Sequence, residues 1–214
     1  MVERSTSTQE GPRWNWKRTN QTQRALMDAA VELFVDGGYA GTSVEDIVQR
    51  SGISIGSLYH HFGNKAGLYL ALWEAWVQSL EEAVSKAILA LQKSGETRSV
   101  PLFLAGAGAY LESGWKNRLT GSMFFAQDGP PGFEVRLRNG RHEWLRQVIV
   151  LIRVSDAPLD RLTVSVMIAI VAEGAREVIM CRNRSDAEEM IEATLTMIDR
   201  VGVSELAVQA GRSA

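Results

Sequence analysis

The sequence predicts an all-α fold in two parts: three closely spaced helices near the N-terminus and a larger helical region behind them. Three observations carry this. From Thr22 onward apolar residues recur at the helical period, and no segment alternates with period two for long enough to argue a strand. Glycine-containing breaks at Gly37-Gly38, Ser51-Gly52 and Gly63-Asn64 cut the first part into short pieces, whereas later periodic segments run for many turns. With 214 residues, 45% of them hydrophobic, the chain has the length for a small domain joined to a medium one and the apolar content for a sizeable core.

Residues 1–20 are polar, rich in Ser, Thr, Gln and Arg, and read as a flexible arm with Trp14 and Trp16 packed back on the first helix. The first helix carries Ala25, Leu26, Ala29, Ala30, Leu33 and Phe34 on one face and stops at Gly37-Gly38. Thr42 reads as the N-cap of the second helix, with Glu45 three residues on completing a capping box, and Val44, Ile47 and Val48 form its apolar face. Ser54 caps a third, very short helix in which Leu58 and Phe62 point inward. A long fourth helix follows through Leu68, Leu72, Trp76, Leu80 and Val84. Helical segments then run over 100–115, 133–154, 159–181 and 186–203, interrupted by Gly129-Pro130-Pro131-Gly132, with starts at Ser155 or Asp156 before Pro158 and at Ser185. The expected divisions are an arm over 1–20, a three-helix domain over 21–66 and a helical regulatory domain over 67–214.

The net charge of −2 removes bulk electrostatics as an argument for nucleic acid but leaves room for a local basic face. The single cysteine, Cys181, excludes an internal disulfide and suits a reducing cytoplasm as a small packing residue. The first residues hold no apolar run of a signal peptide, and no stretch approaches about 18 consecutive apolar residues, so no membrane partner and a cytoplasmic location are expected. Three scattered histidines make no metal site, no phosphate-binding loop follows a strand, and no catalytic constellation stands out; no cofactor, no metal and no enzymatic activity are expected.

Two short helices joined by a tight glycine turn make a helix-turn-helix. A helix enters the DNA major groove only if it protrudes with a polar outer face, and the first short helix must hold it there. The run Gly52-Ile53-Ser54-Ile55-Gly56-Ser57-Leu58-Tyr59-His60-His61-Phe62-Gly63-Asn64-Lys65 resembles the recognition segment of the tetracycline-repressor (TetR) family, and the two preceding helices resemble that family's first two. The likeness covers roughly Thr22 to Leu70. It implies about nine helices, an N-terminal helix-turn-helix DNA-binding domain, a C-terminal ligand-binding and dimerisation domain, a homodimer, and repression of a palindromic double-stranded operator released by a small-molecule effector.

Carried over residue by residue, the resemblance puts Thr42, Ser43, Ser54, Ser57, Tyr59, His60 and Lys65 at phosphate or base edges, with Gly56 allowing close approach. Ile55 departs from the basic or polar residue that family members often carry; its apolar side chain offers a thymine-methyl contact instead. Arg13, Lys17, Arg18 and Arg24 suit an arm in the minor groove. Trp73, Trp76, Phe103, Tyr110, Trp115, Met123 and Phe124 are the expected lining of an effector pocket, which favours a flat aromatic or a cationic ligand. The penultimate helix, with Met167, Ile170, Val171, Gly174 and Ala175, is the implied dimer interface, where Glu173 and Arg176 pair within or between subunits. The competing reading is an all-helical ligand-binding protein or enzyme on the same fold without DNA binding.

Overall fold

A computed structural model describes residues 13–126, 128–137, 140 and 157–210, with side chains described over 21–126, 128–137, 140 and 157–202. Every regular element in it is a helix: α1 (Arg13–Gly41), α2 (Val44–Ser51), α3 (Ile55–Phe62), α4 (Lys65–Lys93), α5 (Ser99–Lys116), α6 (Arg118–Phe125), α7 (Pro158–Met180) and α8 (Arg184–Ala210). A short helical stretch at 133–137 follows the Gly-Pro-Pro-Gly turn. The described residues fall into two compact units that divide between Ala71 and Leu72, five residues later than expected and inside α4.

The first unit is α1 to α3 with the start of α4. Residues 13–36 contain neither glycine nor proline, and the helix accordingly begins at Arg13 rather than after the expected arm. Residues 1–12 of that arm, and the side chains of Trp14, Trp16, Arg13, Lys17 and Arg18, lie outside the described residues. Helical geometry breaks at Gly38, whose φ of 73° and ψ of 169° favour a glycine, and one more turn carries the chain to Gly41. Leu26, Ala29, Ala30, Val31 and Phe34 are buried at 3–4 residue spacing. They meet Ile47 of α2 and Leu58 of α3, both fully buried. Phe34, Tyr39 and Tyr69 pack ring against ring at 5.2–5.7 Å.

In the second unit, α4 buries Leu72, Trp76, Leu80, Val84 and Ile88 at a strict four-residue spacing. One core joins Val84 and Ile88 to Leu102, Phe103 and Ala107 of α5, Val164, Met167, Ile168 and Val171 of α7, and Ile198 of α8. A second core joins Leu111 and Trp115 of α5 to Ala175 and Val178 of α7 and to Ala187 and Ile191 of α8. α7 and α8 cross closely at Gly174, where a Cβ would come within 2.5 Å of Thr194. Pro158 occupies the first turn of α7 as expected, but the cap residue is Ala157, with no side-chain bond; Ser155 and Asp156 lie outside the described residues. α8 is capped by Asn183 rather than Ser185: the Asp186 amide donates to Asn183 Oδ1 at 3.0 Å. Arg184 then makes a two-pronged contact with Glu112 of α5, 2.8 Å on each side.

Candidate nucleic-acid interface and aromatic cluster

α2 and α3 are eight residues each, too short to persist without caps and packing. The cap of α2 is Ser43, one residue later than expected. Its hydroxyl accepts from the Asp46 amide at 3.0 Å, while its own amide donates to Asp46 Oδ2 at 2.9 Å, a reciprocal capping box. The Ser43 hydroxyl also donates to Asp46 Oδ2, and this bond first, then that of the Ser43 amide, holds the Asp46 carboxyl below its ordinary value of 3.8.

Thr42 is turned the other way. It is buried, and its hydroxyl donates to the carbonyls of Leu33 at 3.1 Å and Gly38 at 2.8 Å, both in α1. The expected phosphate contact through the Thr42 hydroxyl is therefore corrected: that oxygen closes α1. Ser43 is exposed, but an anion at this helix end meets the Asp46 carboxylate beside it.

Gly52 (φ 69°) makes the left-handed turn between α2 and α3. Ser54 caps α3, its hydroxyl accepting from the Ser57 amide at 3.3 Å and lying 3.0 Å from the Ser57 hydroxyl. Leu58 at the centre of α3 is wholly buried, whereas Ile55, Gly56, Tyr59 and His60 are exposed, Ile55 at 43% and Tyr59 at 50%. Residues 55 and 59, and 56 and 60, stand one turn apart, so these four form a single outward face. That face is apolar, aromatic and imidazole; α3 carries no Lys or Arg.

Lys65 does not stand free on this surface. Its ammonium donates to the carbonyls of Tyr39 and Thr42, each at 2.7 Å, and lies 4.2 Å from the centre of the Tyr39 ring. In this position it clamps the start of α4 to the end of α1, which leaves one donor for the expected phosphate contact. Two of its three donors are spent there.

Of the seven expected pocket residues, three come together. Trp73, Trp76 and Phe124 stack at 5.1–5.5 Å, and Phe125 and Phe133 join them. Phe103 and Trp115 are instead in the two separate cores, with Tyr110 packed against both, and Met123 is buried. Phe133 was not foreseen as a cluster member; the proline turn just before it is the only signal in the sequence that a side chain returns there.

The implied dimer face on α7 is also corrected. Met167, Val171, Gly174 and Ala175 are buried within the chain, and Ile170 is half-buried against the first core. The outward large apolar residues of α7 are Leu159, Leu162, Val166 and, at its last position, Met180, at 41–63% exposure, with Met197 on α8 at 57%. Glu173 and Arg176 pair within the chain, where Arg176 also reaches Glu177. Cys181 is partly buried, which pushes its thiol up, away from the reactive thiolate. Among the described residues no cluster of ligating side chains could hold a metal ion, and no helix is long and apolar enough to cross a membrane.

Residues 26–72 match the sequence profile of a family described as bacterial regulatory proteins, tetR family. The transcriptional activator FasR of Mycolicibacterium smegmatis is 41% identical over 63 residues, 29% of this chain and 29% of its own. The transcriptional repressor AcnR of Corynebacterium glutamicum is 36% identical over 70 residues, 33% of this chain and 37% of its own. The chain thus spans about a third of the length of the curated relatives it matches. The crystal structure of a TetR-like transcriptional regulator from Rhodococcus sp. RHA1 superposes with a TM-score of 0.66 at 19% identity, covering 87% of this chain and 96% of that one, a likeness of fold. Residues 26–72 thus resemble the tetR family of bacterial regulatory proteins, and the helices follow the fold of solved TetR-like regulators.

Proposed function

We propose that the chain is a cytoplasmic, homodimeric transcriptional regulator that binds a palindromic operator through α3 and releases it when a small molecule occupies the second unit. The observation that carries this is the outward face of α3. Ile55, Gly56, Tyr59 and His60 project from a helix whose opposite side is locked by fully buried Leu58. A short, capped helix with Gly56 in its first turn is shaped to lie against base edges. Ile55 supplies apolar contact to a thymine methyl, Tyr59 and His60 supply polar atoms, and Ser54 and Ser57 flank them toward phosphate.

A second copy would dock on the stripe formed by Leu162, Val166 and Met197, since three such side chains at this exposure call for cover. Effector binding at the Trp73–Trp76–Phe124 cluster would reach the first unit through α4, which contributes residues to both. The sign of regulation is taken as repression; a relative with a similar DNA-binding segment is named an activator.

The test is selection of bound duplexes from a random pool by the full-length protein. Recovery of an inverted repeat whose half-sites lie about one helical turn apart, roughly 34 Å, supports the reading. Recovery of no common sequence contradicts it.

A further inference from the structure

The aromatic cluster holds one polar atom that nothing satisfies. Trp76 is 6% exposed, and its indole Nε1 has no hydrogen-bond partner among the described residues. A buried N–H without an acceptor is costly, and a tryptophan kept in such a place is ordinarily paired.

Water does not answer the need. A buried water requires two to four polar partners. The neighbour beside Nε1 is the backbone of Gly121: a Cβ there would lie 3.3 Å from Nε1 and 3.0 Å from Ile179 Cδ1. The nearest run of polar side chains in sequence and space is spent on itself. Ser79 donates to the Trp76 carbonyl at 2.7 Å, Ser113 to the Ser79 carbonyl at 3.3 Å, and Asn117 to the Ser113 carbonyl at 3.0 Å.

The walls around this donor are flat and apolar: Trp73 at 5.4 Å, Phe124 at 5.5 Å and Phe125 at 6.2 Å from the Trp76 ring. We infer that this cluster is a binding site for a neutral, flat, apolar molecule bearing a carbonyl or ether oxygen, and that the oxygen accepts the Trp76 Nε1 proton beside Gly121. The inference rests on the effector reading above and narrows it.

Each part of that description has a cause. The rings select a planar apolar body by stacking and edge contact. The lone donor selects an acceptor atom. A cation is disfavoured because the N–H presents its positive end to the ligand, so the cationic alternative suggested by tryptophan abundance is dropped. A carboxylate is disfavoured because one neutral donor does not repay its desolvation. A larger residue at 121 would crowd Nε1 and Ile179 and cover the donor further. The site is closed as it stands, and Trp73, half-buried, forms its more accessible side.

The experiment uses the full-length protein labelled with 15N at tryptophan, the Trp76 indole signal being assigned by its loss in Trp76→Phe. Two probes of one shape are titrated without DNA: acetophenone, and α-methylstyrene, in which a CH2 replaces the oxygen. Acetophenone is expected to move the Trp76 N–H signal and to bind about tenfold more tightly than α-methylstyrene, the value of one buried hydrogen bond. Trp76→Phe is expected to abolish the preference while retaining binding of both probes. Gly121→Ala is expected to abolish it with Trp76 in place.

An unmoved Trp76 signal, equal affinities for the two probes, or tighter binding of benzyltrimethylammonium than of acetophenone overturns the inference. Acetophenone bound at Trp76 with no effect on operator affinity supports this site and removes the effector reading. Selection of an operator by a protein whose Trp76 signal never moves does the reverse.

Discussion

Ile55 and Tyr59 on α3 are about as open as Leu162 and Val166 on α7, at 43% and 50% against 59% and 41%, yet the two exposures differ in kind. α3 is eight residues long, hydroxyl-capped at one end, and bears glycine and imidazole between its apolar groups. Such a face is too small and too mixed for the roughly 800 Å² per partner of a stable protein contact. It suits a groove with polar edges. α7 is 23 residues long, and its exposed leucines and valine recur at 3–4 residue spacing; Met197 of α8 is exposed as well. That is a surface for other helices. Exposure alone does not assign a partner; the length of the helix and the chemistry between the apolar groups do.

The largest effect that can break this comparison is on α7. Val166→Arg places a charge in the expected contact between copies, where it cannot be solvated, and should weaken self-association by more than about 100-fold. Sedimentation should then find half the mass with an unchanged helical spectrum. An unchanged mass would return the stripe to the class of ordinary surface residues.

Next comes Lys65. Lys65→Ala removes two charge-assisted bonds to the Tyr39 and Thr42 carbonyls and the contact with the Tyr39 ring. The first unit should lose about 2 kcal/mol, seen as earlier thermal melting of its circular dichroism signal. Unaltered melting, with the salt dependence of DNA binding reduced by about one unit of log–log slope, would make Lys65 chiefly a phosphate ligand.

Tyr59→Ala should leave melting within about 0.5 kcal/mol of the parent, because the ring is half in solvent. It should weaken binding of the selected duplex by about tenfold. Early melting would make Tyr59 a packing residue and blur the contrast with α7.

The smallest effect is on the α2 cap. The folded Asp46 carboxyl is held below 3.8 by Ser43, so the carboxylate's share of the box is present in full above that pH and is lost as the pH falls through the lowered folded value. Ser43→Ala should melt slightly earlier at neutral pH, and the difference from the parent should shrink in acid to the share of the Asp46 amide bond. A difference independent of pH would mean that Asp46 takes no part in the cap.

The same contrast explains what could be read from the sequence. The first unit is built on local signals: glycine breaks, Ser caps and a four-residue spacing. Hence α2, α3 and the inward Leu58 were legible. The failures were those of direction. Thr42-x-x-Glu45 and Ser43-x-x-Asp46 satisfy the same pattern, and the choice falls to Ser43 because the Thr42 hydroxyl is turned to the carbonyls of Leu33 and Gly38. The clamping bonds of Lys65 were not legible because its acceptors lie 26 and 23 residues earlier in the chain. α7 is apolar on two faces, and periodicity cannot say which one its own chain covers. The close crossing of Gly174 with Thr194 decides that, and it belongs to tertiary structure alone. The aromatic cluster was half legible for the same reason: Trp73 and Trp76 are neighbours on one helix, whereas Phe133 arrives from beyond a turn.

The most direct test of the central claim, that the α3 face reads base sequence, is the affinity of the full-length protein for its selected palindrome and for a scrambled duplex of equal composition across a salt series. The account predicts a preference of about 1,000-fold or more for the palindrome at physiological salt, with affinity for both falling steeply as salt rises. Equal affinities at every salt concentration would contradict it.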